Sequence, residues 1–526
     1  MCVALLIVLL VVLLASSTTS AASQLYPRIP GIPASPLYAV TVDGKALEIG
    51  SESLNGNKFF ETGAFSLSGT AKITVRSLQG PRTFTIHPLN LAIANQAAGD
   101  SIAFTLDRPL KLMIKTGSQI PLLLFATPPE SFRPKPGDKN VLYFAAGTHV
   151  AGIIKPESDQ IIYLEPGSLV KGRIDARDVK RVQVLGRGVL DARGYTAVAD
   201  STNAVGFRRC ANIRMEGIGI RASDYWQVLF LLTDYADVSH LNLLSFGKNN
   251  DGVDLDGSTH IRVRNSFIGC GDDGFGWHAV DAKTNGEATT EDCLADSCVI
   301  YNAFAGNGLR VGASMEAKEF KNITFRNIDV VAHLNYAIFS DHSDWAWVRE
   351  LHFEHFRDEM SIGLIGMDIA KTRYSNSNGF KDERGHIQGV TFYDVQAPGG
   401  KVYFKGNDST HLVEDVDFYG CNNGMPIDNL AKIEINAFVK NVRFFTNGEK
   451  PTVAIHPDIS ASIPSSIYGF YPRRRFPLSR NAKSSTLIRT LAAFSADGRL
   501  HVQSFDSDGD NVGPPQPLHL WLPEYR

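Results

Sequence analysis

The sequence predicts an all-β protein, a right-handed parallel β-helix preceded by a small β-sandwich. Two observations carry this. Short segments with apolar residues at alternate positions recur along most of the chain, the period of strands rather than of helices. From Ala211 to Gly448 these segments (ANIRMEGIGI, DVSHLNLLSF, THIRVRNSFI, EDCLADSCVI, KNITFRNIDV, VRELHFEHF, HIQGVTFYDV, HLVEDVDFYG and KNVRFFTNG) start roughly 22 to 37 residues apart. Separate hairpins would need tight paired turns, and a doubly wound fold would need long amphipathic helices, of which the pattern shows little. A solenoid whose coils pack only on their neighbours satisfies both the period and the lack of helix.

The elements follow in chain order. Residues 1–23 hold an apolar run from Val3 to Ala15, a small polar stretch from Ser16 to Ser20, then Ala21 and Ala22. The run is too short for an ordinary transmembrane span and ends in small residues, as a signal peptide does. A secreted mature chain beginning near Ser23 or Gln24 is expected; an N-terminal anchor or an endomembrane lumen is the alternative. Residues 24–127 alternate through YAVTVDGKALEI, AKITVRSL and SIAFTLD, which reads as an antiparallel sandwich. PPESFRPKPGDKN, residues 128–140, reads as a connector, and 141–450 as the β-helix, with IIYLEPGSLVKG and RVQVLGRGVLDARG among its opening coils. Residues 451–526 are expected to pack back on the helix, their cluster of Arg473, Arg474, Arg475 and Arg480 reading as a solvated loop.

Composition excludes several classes. With 526 residues, 44% hydrophobic and 20% charged, the chain is too polar for a multispanning membrane protein and too apolar for general disorder. No later stretch reaches 18 apolar residues, so no integral membrane association of the mature chain is expected. Its 52 Lys plus Arg against 55 Asp plus Glu create no field that would attract nucleic acid. Cys210, Cys270, Cys293, Cys298 and Cys421 remain once Cys2 leaves with the leader, an odd number on a large chain rather than a disulfide scaffold. Cys293 and Cys298 are left open between a bridge and buried thiols; their spacing is not that of a zinc site. Asn322-Ile-Thr324 and Asn407-Asp-Ser409 match acceptors for N-glycosylation.

The chemistry concentrates in SFGKNNDGVDLDGSTHIRVRNSFIGCGDDGFGWHAV, Ser245 to Val280. Aligning LLSF with NSFI puts Asp251 in register with Asp273 one coil later, and neighbouring strands lie about 4.8 Å apart. Asp272 sits beside the pair, with Asp254 and Asp256 just beyond Asp251. Stacked carboxylates repel, which raises one pKa to make an acid and leaves another charged to activate water. Turn-capping Asp and Asn residues are the bland alternative. A calcium site is a further one, although the set lacks EF-hand spacing, and no metal or cofactor is expected. Matching GFGWHAV to GNGLRVG places His278 and Arg310 at equivalent positions on successive coils. FSDHSDWAW adds Asp341, His342, Asp344, Trp345 and Trp347, of which Asp341, His342 and Trp345 are expected to bind substrate together with Asn249, Asp254, His278 and Arg310.

These motifs resemble the pectin-lyase-like β-helix hydrolases, above all glycoside hydrolase family 28, the polygalacturonases and rhamnogalacturonases; family 49, the dextranases, is the related alternative. The family 28 elements Asn-Thr-Asp and Asp-Asp appear as Asn249-Asn250-Asp251 and Asp272-Asp273, and the likeness covers roughly Val141 to Gly448. The resemblance implies an inverting hydrolase of a polysaccharide or oligosaccharide, with Asp272 as general acid and Asp251 and Asp273 activating water. The family's Gly-His-Gly is Gly306-Asn307-Gly308 here, and no Arg-Ile-Lys follows, so the implied substrate is not plain polygalacturonate. A lyase or uronate epimerase using His278 and Arg310, or a non-catalytic glycan-binding β-helix, are the competing readings.

Overall fold

The computed structural model describes residues 22–195, 203–302, 304–445, 489–494, 500–505 and 516–517. Nearly all of the leader and the whole Arg473–Arg480 cluster lie outside them. The chain divides into two compact units, Met1–Gly469 and Phe470–Arg526. In the smaller unit the described residues form one three-stranded antiparallel sheet, Arg489–Phe494, Leu500–Phe505 and Gln516–Pro517. Most of residues 451–526, which are expected to pack back on the helix, lies outside the described residues.

Within the larger unit the architecture is a sandwich followed by a parallel β-helix, as the alternation predicts. One sandwich sheet has six strands, including Lys58–Ser68, Lys111–Thr116 and Leu122–Thr127; the other has five, including Tyr38–Val42, Ala71–Ser77 and Ser101–Leu106. In Ala71–Ser77 the buried positions Ala71, Ile73 and Val75 alternate with outward ones, the pattern of a sheet wet on one face. Their side chains meet Phe65, Leu112, Ile114 and Leu124 across the core.

One pairing departs from the all-antiparallel expectation: Leu122–Thr127 runs parallel to Lys58–Ser68. That strand is buried at every position. Its continuous apolar run, LLLFAT, has two apolar faces to satisfy. Leu122, Leu124 and Ala126 enter the sandwich core, while Leu123 and Phe125 join Phe60 and Met113 against Leu244, Phe246, Phe267 and Val299 of the β-helix. Ring contacts at 5.2 Å between Phe60 and Phe246 and 5.4 Å between Phe125 and Phe267 knit the two together.

The β-helix consists of a 12-stranded and a 20-stranded sheet, in which every pairing is parallel. Its corners need a left-handed backbone turn, and the chain supplies one in coil after coil at His240, Asn265, Ser297, Asn327, His355 and Asp394, with φ between 50° and 59°. Asn and Asp suit this region because a short polar side chain bonds locally. Inside, one aromatic per coil stacks on the next: Phe325, Phe353, Phe392, Phe418 and Phe444 form a column with ring centroids 5.0 to 5.5 Å apart. The five cysteines of the body are buried free thiols, so Cys293 and Cys298 do not bridge. Burial pushes both up to about 12, where they pack as small apolar groups. Asn322 lies inside the strand Glu319–Arg326 with its amide donating to Asp292 of the previous coil. The sole α-helix among the described residues, Ala282–Asn285, is four residues long, and none is long and apolar enough to cross a membrane.

Phe325 is wholly buried between Phe353 and Trp277, the latter 4.3 Å away between ring centroids. Phe325→Ala should cost about 3 to 5 kcal/mol through the cavity it leaves. Urea unfolding of wild type and variant measures this, and a cost below about 1 kcal/mol would show that neighbouring coils collapse into the gap.

Candidate active site

Three columns of residues, one residue per coil, build the site. Val253–Asp256 pairs with Phe275–Ala279 through Val253 and Phe275, an offset of 22 that places Asp251 beside Asp273; the Gly252 amide donates to the Asp273 carbonyl at 2.9 Å. One coil earlier Val228 pairs with Val253, which sets Trp226 in line with Asp251. One coil later Phe275 pairs with Leu309, which brings Asn307 beside Asp273. The first column is therefore Trp226, Asp251, Asp273 and Asn307. The second runs through Asp254, Gly276, Arg310 and Phe339. Along the third, Asp256 pairs with His278 and, farther on, Asp341 with Asp368.

Arg310 thus pairs with Gly276 rather than with His278, contrary to the sequence alignment. The coil between them is 34 residues rather than 32, since Phe275 pairs with Leu309, and the extra length moves Arg310 back by one outward position. His278 lies instead beside Asp256 and turns over Gly276 toward Asp251 and Asp254. Its Nε2 stands 3.5 Å from Asp254 Oδ1 and 3.9 Å from Asp251 Oδ2, and its Nδ1 bonds the Gly312 carbonyl. Gly276 permits this convergence. A Cβ there would lie 2.4 Å from Asp254 Oδ1, 2.6 Å from His278 Nε2 and 2.9 Å from Asp251 Oδ2.

The carboxyl groups differ in their surroundings. Asp273 is buried, and its Oδ1 accepts from the Asn307 backbone and side-chain amides at 2.9 and 2.7 Å; Arg310 Nη1 reaches its Oδ2 at 3.5 Å. Burial, then the charges of Asp251 and Asp273, push the partly exposed Asp272 up to about 7, while Arg310 and the Asn249 amide pull the other way. Asp251 is raised by burial to about 6, with His278 opposing and Asp273 adding to the rise. Asp254, fully buried, is held well above the carboxylate range by burial and then by Asp251. Asp256 rises to about 7 through burial, although its Oδ1 accepts from the Val280 amide at 3.1 Å. Burial disfavours a charged His278, but the two facing carboxylates outweigh it and hold the imidazole above its usual value.

Other expected residues divide. Arg310 forks onto Asp341, with Nε at 2.7 Å from Oδ1 and Nη2 on Oδ2, and lies over the Phe339 and Tyr374 rings. Asn249 is exposed in a left-handed turn at φ 51°, on the rim beside Asp272. His342 is buried away from the cluster, its Nε2 on the Ala346 carbonyl at 2.6 Å; burial lowers it to about 4, so it is neutral. Trp345 packs on Phe380 and under Lys381. No described hydrogen bond or ion pair joins His342 or Trp345 to the carboxylates. Asp344 caps backbone amides of Met315 and Asn376.

Several site residues were not singled out from sequence. Trp226 stacks on His278 with centroids 5.6 Å apart and on Tyr225 at 5.2 Å, which makes a half-buried aromatic shelf beside Asp251. Asn250, named from sequence only as the middle of the Asn249-Asn250-Asp251 match, holds the turn before Asp251 by donating to the carbonyls of Ser223 and Tyr225. Asn55 reaches in from the sandwich, accepting from the Phe246 amide at 2.7 Å and donating to the Ser223 carbonyl at 2.5 Å. The register of RASDYWQVLF one coil before SFGKNNDGV could have revealed the shelf; nothing local could have revealed Asn55.

No protein-family model and no curated protein matches the chain. Among solved structures it is similar to Dex49A from Penicillium minioluteum, with 11% identity over 80% of this chain and 96% of that one, at a TM-score of 0.48. The family 28 exopolygalacturonase of Yersinia enterocolitica shares 12% identity over 80% of this chain and 96% of its own, at 0.40. The catalytic domain of a GH87 α-1,3-glucanase in complex with nigerose shares 10% over 81% and 89%, at 0.35.

Asp368, in line with Asp341 and bonded at 3.4 Å by the Tyr403 hydroxyl, is pushed up to about 6 by burial and then by Asp341, against Lys405 and Arg310. Its folded value exceeds the ordinary 3.8, so the unfolded chain ionises first as pH rises. The group accordingly withdraws stability between about pH 4 and 6 and by a constant amount above. Asp368→Asn should match wild type near pH 4 and gain relative stability up to about pH 6 in urea titrations; a difference independent of pH would contradict the assignment.

Proposed function

We propose that the chain is a glycoside hydrolase that cleaves a glycosidic bond of a polysaccharide or oligosaccharide with inversion, Asp272 donating the proton and Asp251 and Asp273 activating the water. The observation that carries this is the split between neighbours. Asp272 is partly exposed and keeps its proton to about pH 7, while the adjoining Asp273 is held by the Asn307 amides and Arg310. Two carboxyl groups in such contrasting settings are what acid and base roles across one glycosidic oxygen require. The resemblance of Asn249-Asn250-Asp251 and Asp272-Asp273 to the family 28 motifs leads to the same roles, and the half-buried Tyr225–Trp226 shelf is a surface suited to the apolar face of a sugar ring.

The state of Arg310 supports a substrate other than polygalacturonate. Its fork is filled by Asp341 and its remaining nitrogen faces Asp273, which leaves no donor pair for a uronate carboxylate. The same engagement counts against a lyase or epimerase, which must neutralise that carboxylate. His278, enclosed between Asp254, Asp251 and Trp226, is poorly placed to abstract a C5 proton. A glycan-binding protein without turnover is the reading that activity assays must separate.

Reducing-end release across a panel of neutral and acidic polysaccharides tests the proposal, and proton NMR of fresh product should show the anomer opposite to the substrate linkage. Activity should fall as pH rises through about 7, because only protonated Asp272 can act as the acid. Asp272→Asn should lower turnover by about 10² to 10⁴. Retained anomeric configuration would rule out inversion, and an Asp272→Asn enzyme of near wild-type rate would rule out that acid.

A further inference from the structure

The three groups that converge over Gly276 have more in common with a cation site than with a hydrogen-bonded triad. Asp254 is fully buried, yet neither of its carboxyl oxygens has a hydrogen-bond partner in the protein, and His278 Nε2 has none either. The separations, 3.5 Å from Nε2 to Asp254 Oδ1 and 3.9 Å to Asp251 Oδ2, exceed those of hydrogen bonds between charged groups. They suit donors gathered around one ion. Around a tetrahedral ion with bonds of about 2.1 Å, donors stand about 3.4 Å apart. One donor atom from each of Asp251, Asp254 and His278 lies within 4.8 Å of the others.

Two further features fit. His278 Nδ1 bonds the Gly312 carbonyl, and a metal-bound histidine usually donates its other ring N–H to such an acceptor, which fixes the tautomer and aims Nε2 inward. Gly276 leaves open the space on which the three donors converge, where any side chain would collide with all of them. Two carboxylates and a neutral imidazole carry two negative charges, and a divalent ion cancels them where burial would otherwise be costly.

We propose that Asp251, Asp254 and His278 form a binding site for a single divalent first-row cation, Zn²⁺ or Mn²⁺, with Gly276 as its floor. An imidazole donor favours these over Ca²⁺ and Mg²⁺, which prefer an all-oxygen set. Asp251 is shared with the proposed catalytic group, so binding is read directly rather than through turnover. Failure of hydrolysis and failure of metal binding are then separate results.

The test uses the full chain, stripped with a chelator and dialysed against ZnCl₂ or MnCl₂ alone, with bound metal measured by inductively coupled plasma mass spectrometry. About one ion per chain is expected, with Asp254→Asn and His278→Gln each lowering affinity by about 10-fold or more. A second measurement needs no variant: electron spin-echo spectroscopy of the Mn²⁺-loaded wild-type chain, with and without ¹⁵N-labelled histidine, should show coupling to one histidine nitrogen. No stoichiometric binding, binding unchanged in both folded variants, or a bound ion without histidine coupling would each overturn the site.

Discussion

Parallel register is the constraint on which everything else depends. In the 20-stranded sheet each coil hydrogen-bonds only to the coils before and after it, so a residue's neighbours are set by coil length. The 22-residue step from Val253 to Phe275 brings Asp251 alongside Asp273, and the 34-residue step that follows delivers Asn307 amides to Asp273 rather than another carboxylate. Like charges on adjacent coils would drive the stack apart. They are tolerated because amide donors, Arg310 and retained protons absorb the repulsion group by group.

The sandwich stiffens this arrangement from one side. Its parallel strand Leu122–Thr127 has no wet face, because one side fills the sandwich core and the other meets Phe246 and Phe267. Polar contacts then fix position where the apolar contact alone would slide: Arg221 Nε on Glu52 at 2.7 Å, Lys111 on Asn242 at 2.7 Å, and Asn55 on the turn that leads to Asp251. The sandwich thereby buttresses the coils that bear the carboxylates. Pro128 and Glu130 contribute in the same way, the Pro128 carbonyl accepting from Arg187 and the Glu130 carboxylate from the Tyr163 hydroxyl.

How much was legible in the sequence follows from which interactions are local. Strand alternation exposed the solenoid. The Asp251–Asp273 pairing came out right although the match of LLSF to NSFI did not: Leu243 pairs with Ile268 rather than with Asn265, and a turn three residues shorter in the second coil restores the offset of 22 at Val253 and Phe275. The His278–Arg310 pairing failed on a coil longer by two residues than the motif match assumed. Motif likeness between GFGW and GNGL does not report where the extra residues sit. The Leu122–Thr127 pairing was misread because a run buried on both faces carries no alternation to reveal its direction. Asp254 was expected to bind substrate; only the fold shows that its carboxyl is sealed from solvent and faces His278. Asn55 acts across 191 positions, a distance over which no local pattern speaks.

The phenylalanine column, one ring per coil from Phe325 to Phe444, bears on how such a protein changes over time. Each ring asks only for a similar ring above and below it, so a duplicated coil finds a ready-made berth within the column and a deleted one leaves two compatible faces to close. The number of coils can then drift through gain and loss of whole turns, while the residues around Asp272, bound by contacts to their immediate neighbours, stay as they are. A lineage built this way can lengthen or shorten its solenoid without rebuilding the cluster around Asp251 and Asp273.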